Sequence, residues 1–331
     1  MRRTIFSLVL LGALTACGSD EPTASAPPAS GNLAVTCGRV IDGLSDDVVA
    51  KQLIIIRNGR IDDIRDAGGE PPPGLSVLDL PDHTCLPGLI DTHVHLASRF
   101  EDSGDMAAIY TRPVAESTRI AEKNAIATLQ AGFTTVRNVG DYFPSVVHDM
   151  KLRELNGQVR SPRIQDAGPY MTIPAGGGDL VIPGEDESRI PAEVRLGVAR
   201  GPEEFARKTE AALDAGADVI KVIASGAVFA FGGVPGAPEM TPEEIEAVVD
   251  AAHARGVKVT AHAHGAQSIK DAINAGVDSI EHASLADNEA IALAAEHGVA
   301  FSMDVYNGTY TAEVGEELGY PEEFMRKNEE T

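Results

Sequence analysis

His93 and His95 close the apolar run LPGLIDTHVHL at 86–96, one residue apart. Alternate residues of a strand share a face, so both imidazoles point the same way where the strand ends. Two imidazoles placed like this suit two ligands of one metal ion. Three more histidines end or follow β-rich runs: His262 and His264 in VKVTAHAHG, and His282 in VDSIEHA. Lys221 lies inside another such run, ADVIKVIAS. A buried ammonium is costly unless paired, and burial drives it toward the neutral amine. A neutral amine takes up CO2 to give a carbamate, a carboxylate able to bridge two metal ions. The alternative is a lysine that snorkels to solvent or pairs with an acid. His83, His148, His253 and His297 show no comparable placement, and surface or helix positions account for them.

These side chains need elements to position them, and the pattern from residue 86 onward supplies a repeating unit. A helix-period segment is followed by a glycine and then by a short β-rich run: AEKNAIATLQAG before FTTVRNVG, EEFARKTEAALDAG before ADVIKVIASG, PEEIEAVVDAAHARG before VKVTAHAHG. Gly132, Gly216, Gly256, Gly276 and Gly298 each fall where a helix ends, a position that favours positive φ. Helix alternating with strand means parallel strands joined by crossover helices. Seven strands are expected, near 89–95, 133–138, 163–168, 218–224, 257–262, 278–282 and 299–304. The fold class is therefore α/β, and seven successive units point to a TIM-like (β/α)8 barrel spanning 89–331. A doubly wound sheet is the alternative, but no GxGxxG follows the first strand. In a barrel the chemistry gathers at the C-terminal ends of the strands, which is where the five histidines fall. Upstream, 33–88 reads as a small β unit with an RNGR hairpin turn.

The remaining signals concern location and partners. The chain has 331 residues and a formal charge of −23, which excludes a basic nucleic-acid-binding face. Residues 1–17 combine a basic start, an apolar stretch too short for a membrane span, and LTAC, which resembles a bacterial lipobox ending at Cys17. That resemblance implies a signal peptide, lipidation of Cys17 and a cell-envelope protein that meets the membrane only through its lipid. Gly18 after the cysteine favours the outer membrane, facing the periplasm. Residues 18–32 are rich in Pro, Ser and Ala and read as a flexible tether. Cys37 and Cys85 flank the small β unit in an oxidising compartment and fit either a disulfide or two buried thiols. A homo-oligomer is compatible with the sequence.

PGLIDTHVHL, GFTTVRNVG, GADVIKVIASG, VTAHAHG and GVDSIEHAS, in this order, resemble successive blocks of the amidohydrolase superfamily, in the subgroup of imidazolonepropionase-like proteins and Xaa-Pro dipeptidases. The resemblance covers residues 33 to about 305. It implies a (β/α)8 barrel with a small β-sandwich, of which 33–88 would be the N-terminal part, and a centre of two divalent metal ions, usually zinc. It assigns His93, His95, a carboxylated Lys221, His262 and His282 as metal ligands. It places His264 in a substrate-facing slot, so that Lys221 and His264 are the expected catalytic residues. The implied reaction is hydrolysis of a small amide by a metal-bridging hydroxide.

Two departures accompany the resemblance. The strand-eight block that carries a proton-shuttling acid has no counterpart, which implies that the chain is a C-terminally truncated portion of a longer protein. Asp304 ends the seventh expected strand but lies outside that motif. In MTIPAGGGDL, Gly178 stands where many relatives have His. The favoured substrates are dipeptides such as Xaa-Pro or N-acyl amino acids. A cyclic-amide or ester hydrolase and a non-catalytic, lipid-anchored binding protein are the alternatives.

Overall fold

The computed structural model describes residues 31–331. The expected leader with Cys17, and the tether up to residue 30, lie outside the described residues. The chain divides into two compact units, one ending at Pro87 and the other spanning Gly88–Thr331. Among the described residues no helix is long and apolar enough to cross a membrane.

The first unit is one sheet of β1 (Leu33–Val40), β2 (Val49–Arg57), β3 (Arg60–Asp66) and β4 (Ser76–Cys85), in the order β3-β2-β1-β4. β1 and β4 run parallel and the other pairs antiparallel. Asn58 and Gly59 both take positive φ, 51° and 73°, as a tight two-residue hairpin turn requires. Period-2 alternation splits the apolar residues between the two faces: Ala34, Leu53 and Ile55 cluster on one, Val35, Cys37 and Val40 on the other. Of the two states left open for the cysteines, the structure holds the disulfide, joining Cys37 to Cys85 with Cα atoms 6.0 Å apart. The sequence predicts part of a sandwich; the described residues of this unit form a single sheet.

The second unit alternates strand and helix. In order come β5 (Leu89–Val94), α1 (Ala107–Thr111), α2 (Val114–Gln130), β6 (Phe133–Asn138), α3 (Pro144–Leu155), β7 (Arg163–Asp166), β8 (Tyr170–Met171), α4 (Pro202–Asp214) and β9 (Val219–Ile223). Then follow α5 (Pro242–Ala254), β10 (Lys258–Gly265), α6 (Ala266–Asn274), β11 (Ser279–Leu285), α7 (Asn288–His297), β12 (Ala300–Ser302), α8 (Asn307–Val314) and α9 (Glu322–Glu330). All the strand pairings are parallel, β5-β6-β7 in one ladder and β8-β9-β10-β11-β12 in another. The fold is α/β and TIM-barrel-like.

One expectation needs correction. The third strand does not run unbroken through 163–168. It stops at Asp166 and resumes at Tyr170, so that β7 pairs with β6 and β8 pairs with β9. Gly168, at φ 69°, and Pro169, which has no N–H, cannot continue a ladder. With β7 and β8 counted as the two pieces of one broken strand, the described residues of this unit hold seven, and β5 and β12 share no backbone pairing. Their side chains do meet: Thr92 Oγ1 lies 2.7 Å from Ser302 Oγ.

Local chemistry explains the elements that carry the site. The five glycines expected to end helices all have positive φ, between 68° and 98°. α5 starts with a capping box: Thr241 Oγ1 accepts from Glu244 N–H, and Glu244 accepts from Thr241 N–H. On β10, Val259, Ala261 and Ala263 face the helices and join the main apolar cluster, while the residues between them, Thr260, His262 and His264, turn to the interior. β9 does the same, with Ile220 and Val222 outward and Lys221 inward. Helix packing thus takes one face of each strand and leaves the other for chemistry.

Candidate metal centre

The interior faces of β5, β9, β10 and β11 bring five imidazoles and one amine together. Ring centroids are 5.2 Å apart for His93 and His95, 4.7 Å for His93 and His282, and 4.6 Å for His262 and His282. His264 stacks on His282 at 4.8 Å with the planes 20° apart. The available nitrogens of His262, His264 and His282 all lie within 4.8 Å of one another. The structure therefore sets His264 among the other imidazoles, inside the cluster that the sequence reading placed beside it.

A break in alternation helps to build this cluster. Glu281 and His282 are consecutive, yet both take part in it. His282 and Ala283 have positive φ, 69° and 53°, uncommon for residues with a Cβ. The pairing of β10 with β11 shifts register just beyond them. This bulge turns His282 inward beside Glu281. Non-glycine strain of this kind persists where the surroundings enforce it and collects at functional sites.

Each ring is pinned by one nitrogen. His93 Nδ1 donates to Glu281 Oε2 at 2.7 Å, and His282 Nδ1 donates to Asp304 Oδ1 at 2.8 Å. His95 Nδ1 donates to Gly140 O at 2.8 Å, with the Tyr170 hydroxyl 3.1 Å away. His262 Nε2 donates to Gly226 O at 3.2 Å. Carboxylates and carbonyls only accept, so in each of these four rings the opposite nitrogen carries the lone pair. Those nitrogens, Nε2 of His93, His95 and His282 and Nδ1 of His262, have no hydrogen-bond partner among the described residues. Metal-binding histidines are held in the same way, with the second nitrogen donated to a carboxylate or carbonyl. His264 Nδ1 lies 3.0 Å from Ser284 Oγ, and the hydroxyl leaves its tautomer open.

Lys221 is 2% exposed and makes no hydrogen bond or ion pair among the described residues. Burial lowers its pKa to about 8, against the opposing pull of Glu281. Burial also pushes His93 and His262 well below the ordinary imidazole value, His95 to about 4 and His264 to about 3, with Lys221 adding to each shift. Neutral imidazoles are the form that binds metal ions.

Sequence reasoning passed over the carboxylate that organises the floor of the site. Glu281 is completely buried. Besides His93, it takes Arg137 Nη2 at 2.6 Å and a short hydrogen bond from Thr260 Oγ1. Arg137 also donates to Thr92 O at 2.8 Å and Ser279 Oγ at 3.1 Å, tying β5 and β6 to β11. Burial alone would raise the Glu281 carboxyl, but the His93 hydrogen bond and the charges of Lys221 and Arg137 hold it well below the usual range. An acid directly before His282, inside the β-rich run VDSIEHA, was the available signal. Asp304, noted in the sequence without a role, orients His282 and accepts from Asn307 Nδ2 at 3.1 Å. Beside these groups, a cleft of about 420 Å³ opens between β5 and β12, lined by Thr92, His93, Ser302, Asp304 and Tyr306.

The amidohydrolase family model matches residues 84–321. The chain belongs to the amidohydrolase family. Amidohydrolases usually bind metal ions, and the histidine cluster just described lies within the matched region. A Xaa-Pro dipeptidase crystallised with methionine in its active site is 34% identical, with a TM-score of 0.81 over 90% of this chain and 73% of that one. A prolidase bound to N-methylphosphonate-L-proline is 27% identical, with a TM-score of 0.81 over 90% of this chain and 72% of that one. The ochratoxinase of Aspergillus niger is 30% identical over 235 residues, covering 65% of this chain and 46% of the relative. The chain thus spans about half the length of the curated relatives it matches.

Proposed function

We propose that this amidohydrolase is a metal-dependent enzyme that cleaves the C–N amide bond of small substrates, dipeptides such as Xaa-Pro or N-acyl amino acids. The observation that carries the reading is the set of four imidazoles, each pinned through one nitrogen and presenting the other around an unpartnered, buried Lys221. The relatives support the substrate class: a Xaa-Pro dipeptidase, a prolidase and an ochratoxinase.

The donor set fits a pair of divalent ions. His93, His95, His262 and His282 would offer neutral nitrogens, and Lys221, carboxylated by CO2 with release of one proton, would offer carboxylate oxygens. Zinc is the first candidate, and nitrogen with carboxylate ligands also accepts Mn, Fe or Co. Bound there, such ions polarise a carbonyl and acidify water. The chain's own groups do the rest. Glu281 and Asp304 fix the rings of His93 and His282, and Gly140 and Gly226 fix those of His95 and His262. His264 lies beside His282 in the mouth and would face the substrate. Anchoring through Cys17 in the outer membrane, facing the periplasm, belongs to the same proposal; its support is the sequence of residues 1–17.

The test is a hydrolysis screen of the protein against Xaa-Pro dipeptides and N-acyl amino acids, beside the Lys221→Met variant. Turnover that falls at least about 100-fold in the variant, together with metal content, is the expected result. Absence of turnover on both substrate classes, or a variant with unchanged rate and metal content, would remove the proposal.

A further inference from the structure

Beyond β12 the chain does not return at once to the helical layer. It follows the rim at the C-terminal ends of the strands, where barrel chemistry takes place. The segment starts at Asp304, which orients His282. Tyr320 Oη then donates to Phe100 O at 2.9 Å, in the loop after β5. Gly104 of that loop lies so close to the Leu318 carbonyl that no Cβ would fit between them. The segment ends in α9, whose Phe324, fully buried, packs on Phe229 and Phe231 of the loop after β9, with centroids 6.1 and 4.9 Å away.

The tip of that second loop is gripped by two α9 side chains one helical turn apart. Lys327 is 1% exposed; it donates to Ala230 O at 2.6 Å and to Gly232 O, and its ammonium pairs with the Glu323 carboxylate, Oε1 at 2.9 Å. Glu323 Oε1 in turn accepts from Gly232 N at 3.1 Å. Gly232 and Gly233 both have positive φ, 68° and 60°, a tip conformation that needs fastening. The base of the same loop bears on the metal centre. Gly226 O holds His262, and Ser225 Oγ accepts from His264 N at 3.0 Å. Gly236 rests directly on Gly265, leaving no room for a Cβ there. Glu239, just past the loop, accepts from Gly177 N at 2.7 Å in the glycine run after β8.

We infer that Lys327 is a positioning residue: it latches the 225–238 loop to α9 and so fixes the wall of the mouth beside His262 and His264. It touches no imidazole itself and acts through the loop. A buried cation satisfied chiefly by backbone carbonyls of a glycine-rich tip stabilises one loop conformation, because losing it would leave those carbonyls unpaired. The inference rests on the proposed hydrolase reading only for its kinetic consequence; the latch can be tested without turnover.

The test is hydrogen exchange of the whole protein, comparing the unaltered chain with Lys327→Met and with the milder Glu323→Gln. The expected result is exchange of the 226–237 amides at least about tenfold faster in Lys327→Met, and raised to a smaller extent in Glu323→Gln, with β9, β10 and β11 unaffected and metal content retained. In a substrate assay, Lys327→Met should raise KM several-fold while kcat changes less. Unchanged exchange in that loop would overturn the inference. So would exchange raised uniformly through the unit in Lys327→Met with no loop-local change in Glu323→Gln, because the lysine would then be serving stability alone. If the protein proves to have no hydrolase activity, the exchange result still decides the latch.

Discussion

His93 and His282 face each other across the site, 4.7 Å between ring centroids, and both give Nδ1–H to a carboxylate. The two carboxylates live in different surroundings. Glu281 is completely buried and serves three groups: His93, Arg137 and Thr260. Among the described residues the Asp304 side chain, 27% exposed, hydrogen-bonds only His282 and Asn307. The first acid is part of the barrel's construction, and the second is a rim group that aims one ring. Two hydrogen bonds of nearly equal length therefore do unequal work, and the difference lies in what each acid leaves behind when it is removed.

Glu281→Gln should have the largest effect. It leaves the Arg137 guanidinium without its counter-charge in the interior, and breaking a buried pair costs about 3 kcal/mol or more. Loss of the His93 partner should also weaken metal binding by about 10–100-fold. Thermal melting and metal titration read the two losses together. Asp304→Asn comes next. The amide keeps an acceptor for His282 and water reaches the site, so stability should fall by about 1 kcal/mol; metal affinity should still fall about tenfold. Equal destabilisation by the two substitutions would break the comparison. Tyr170→Phe should do least. His95 keeps Gly140 O as its acceptor, so the loss should stay within about 0.5–1 kcal/mol, with metal content unchanged.

Much of the frame was legible in the sequence for local reasons. Strand after helix after glycine is a short-range pattern, and six of the seven expected strands are present as single strands, the third being split in two. His93 and His95, or His262 and His264, could be assigned to a shared face because alternation holds over two residues. Lys221 stood out because a cation is foreign to an apolar run. The groups missed depend on distances along the chain that no local pattern carries. Glu281 meets His93 from 188 residues away, and Arg137 meets Glu281 from 144. The bulge that admits both Glu281 and His282 to the site is a backbone departure with no glycine to announce it. The break in the third strand did have a signal, Gly168-Pro169, which the apolar pattern on either side outweighed. The latch at Lys327 was invisible because a lysine in a charged helix reads as solvent-facing.

The central claim is that side chains from separate strands surround a pair of divalent ions. Anomalous diffraction from crystals of the zinc-supplemented protein tests it most directly. The account predicts two peaks per chain, contacted by the free nitrogens of His93, His95, His262 and His282, with a carboxylated Lys221 between them. Imidazoles without a peak at full zinc occupancy elsewhere, or an unmodified Lys221 turned away from the metal, would contradict it.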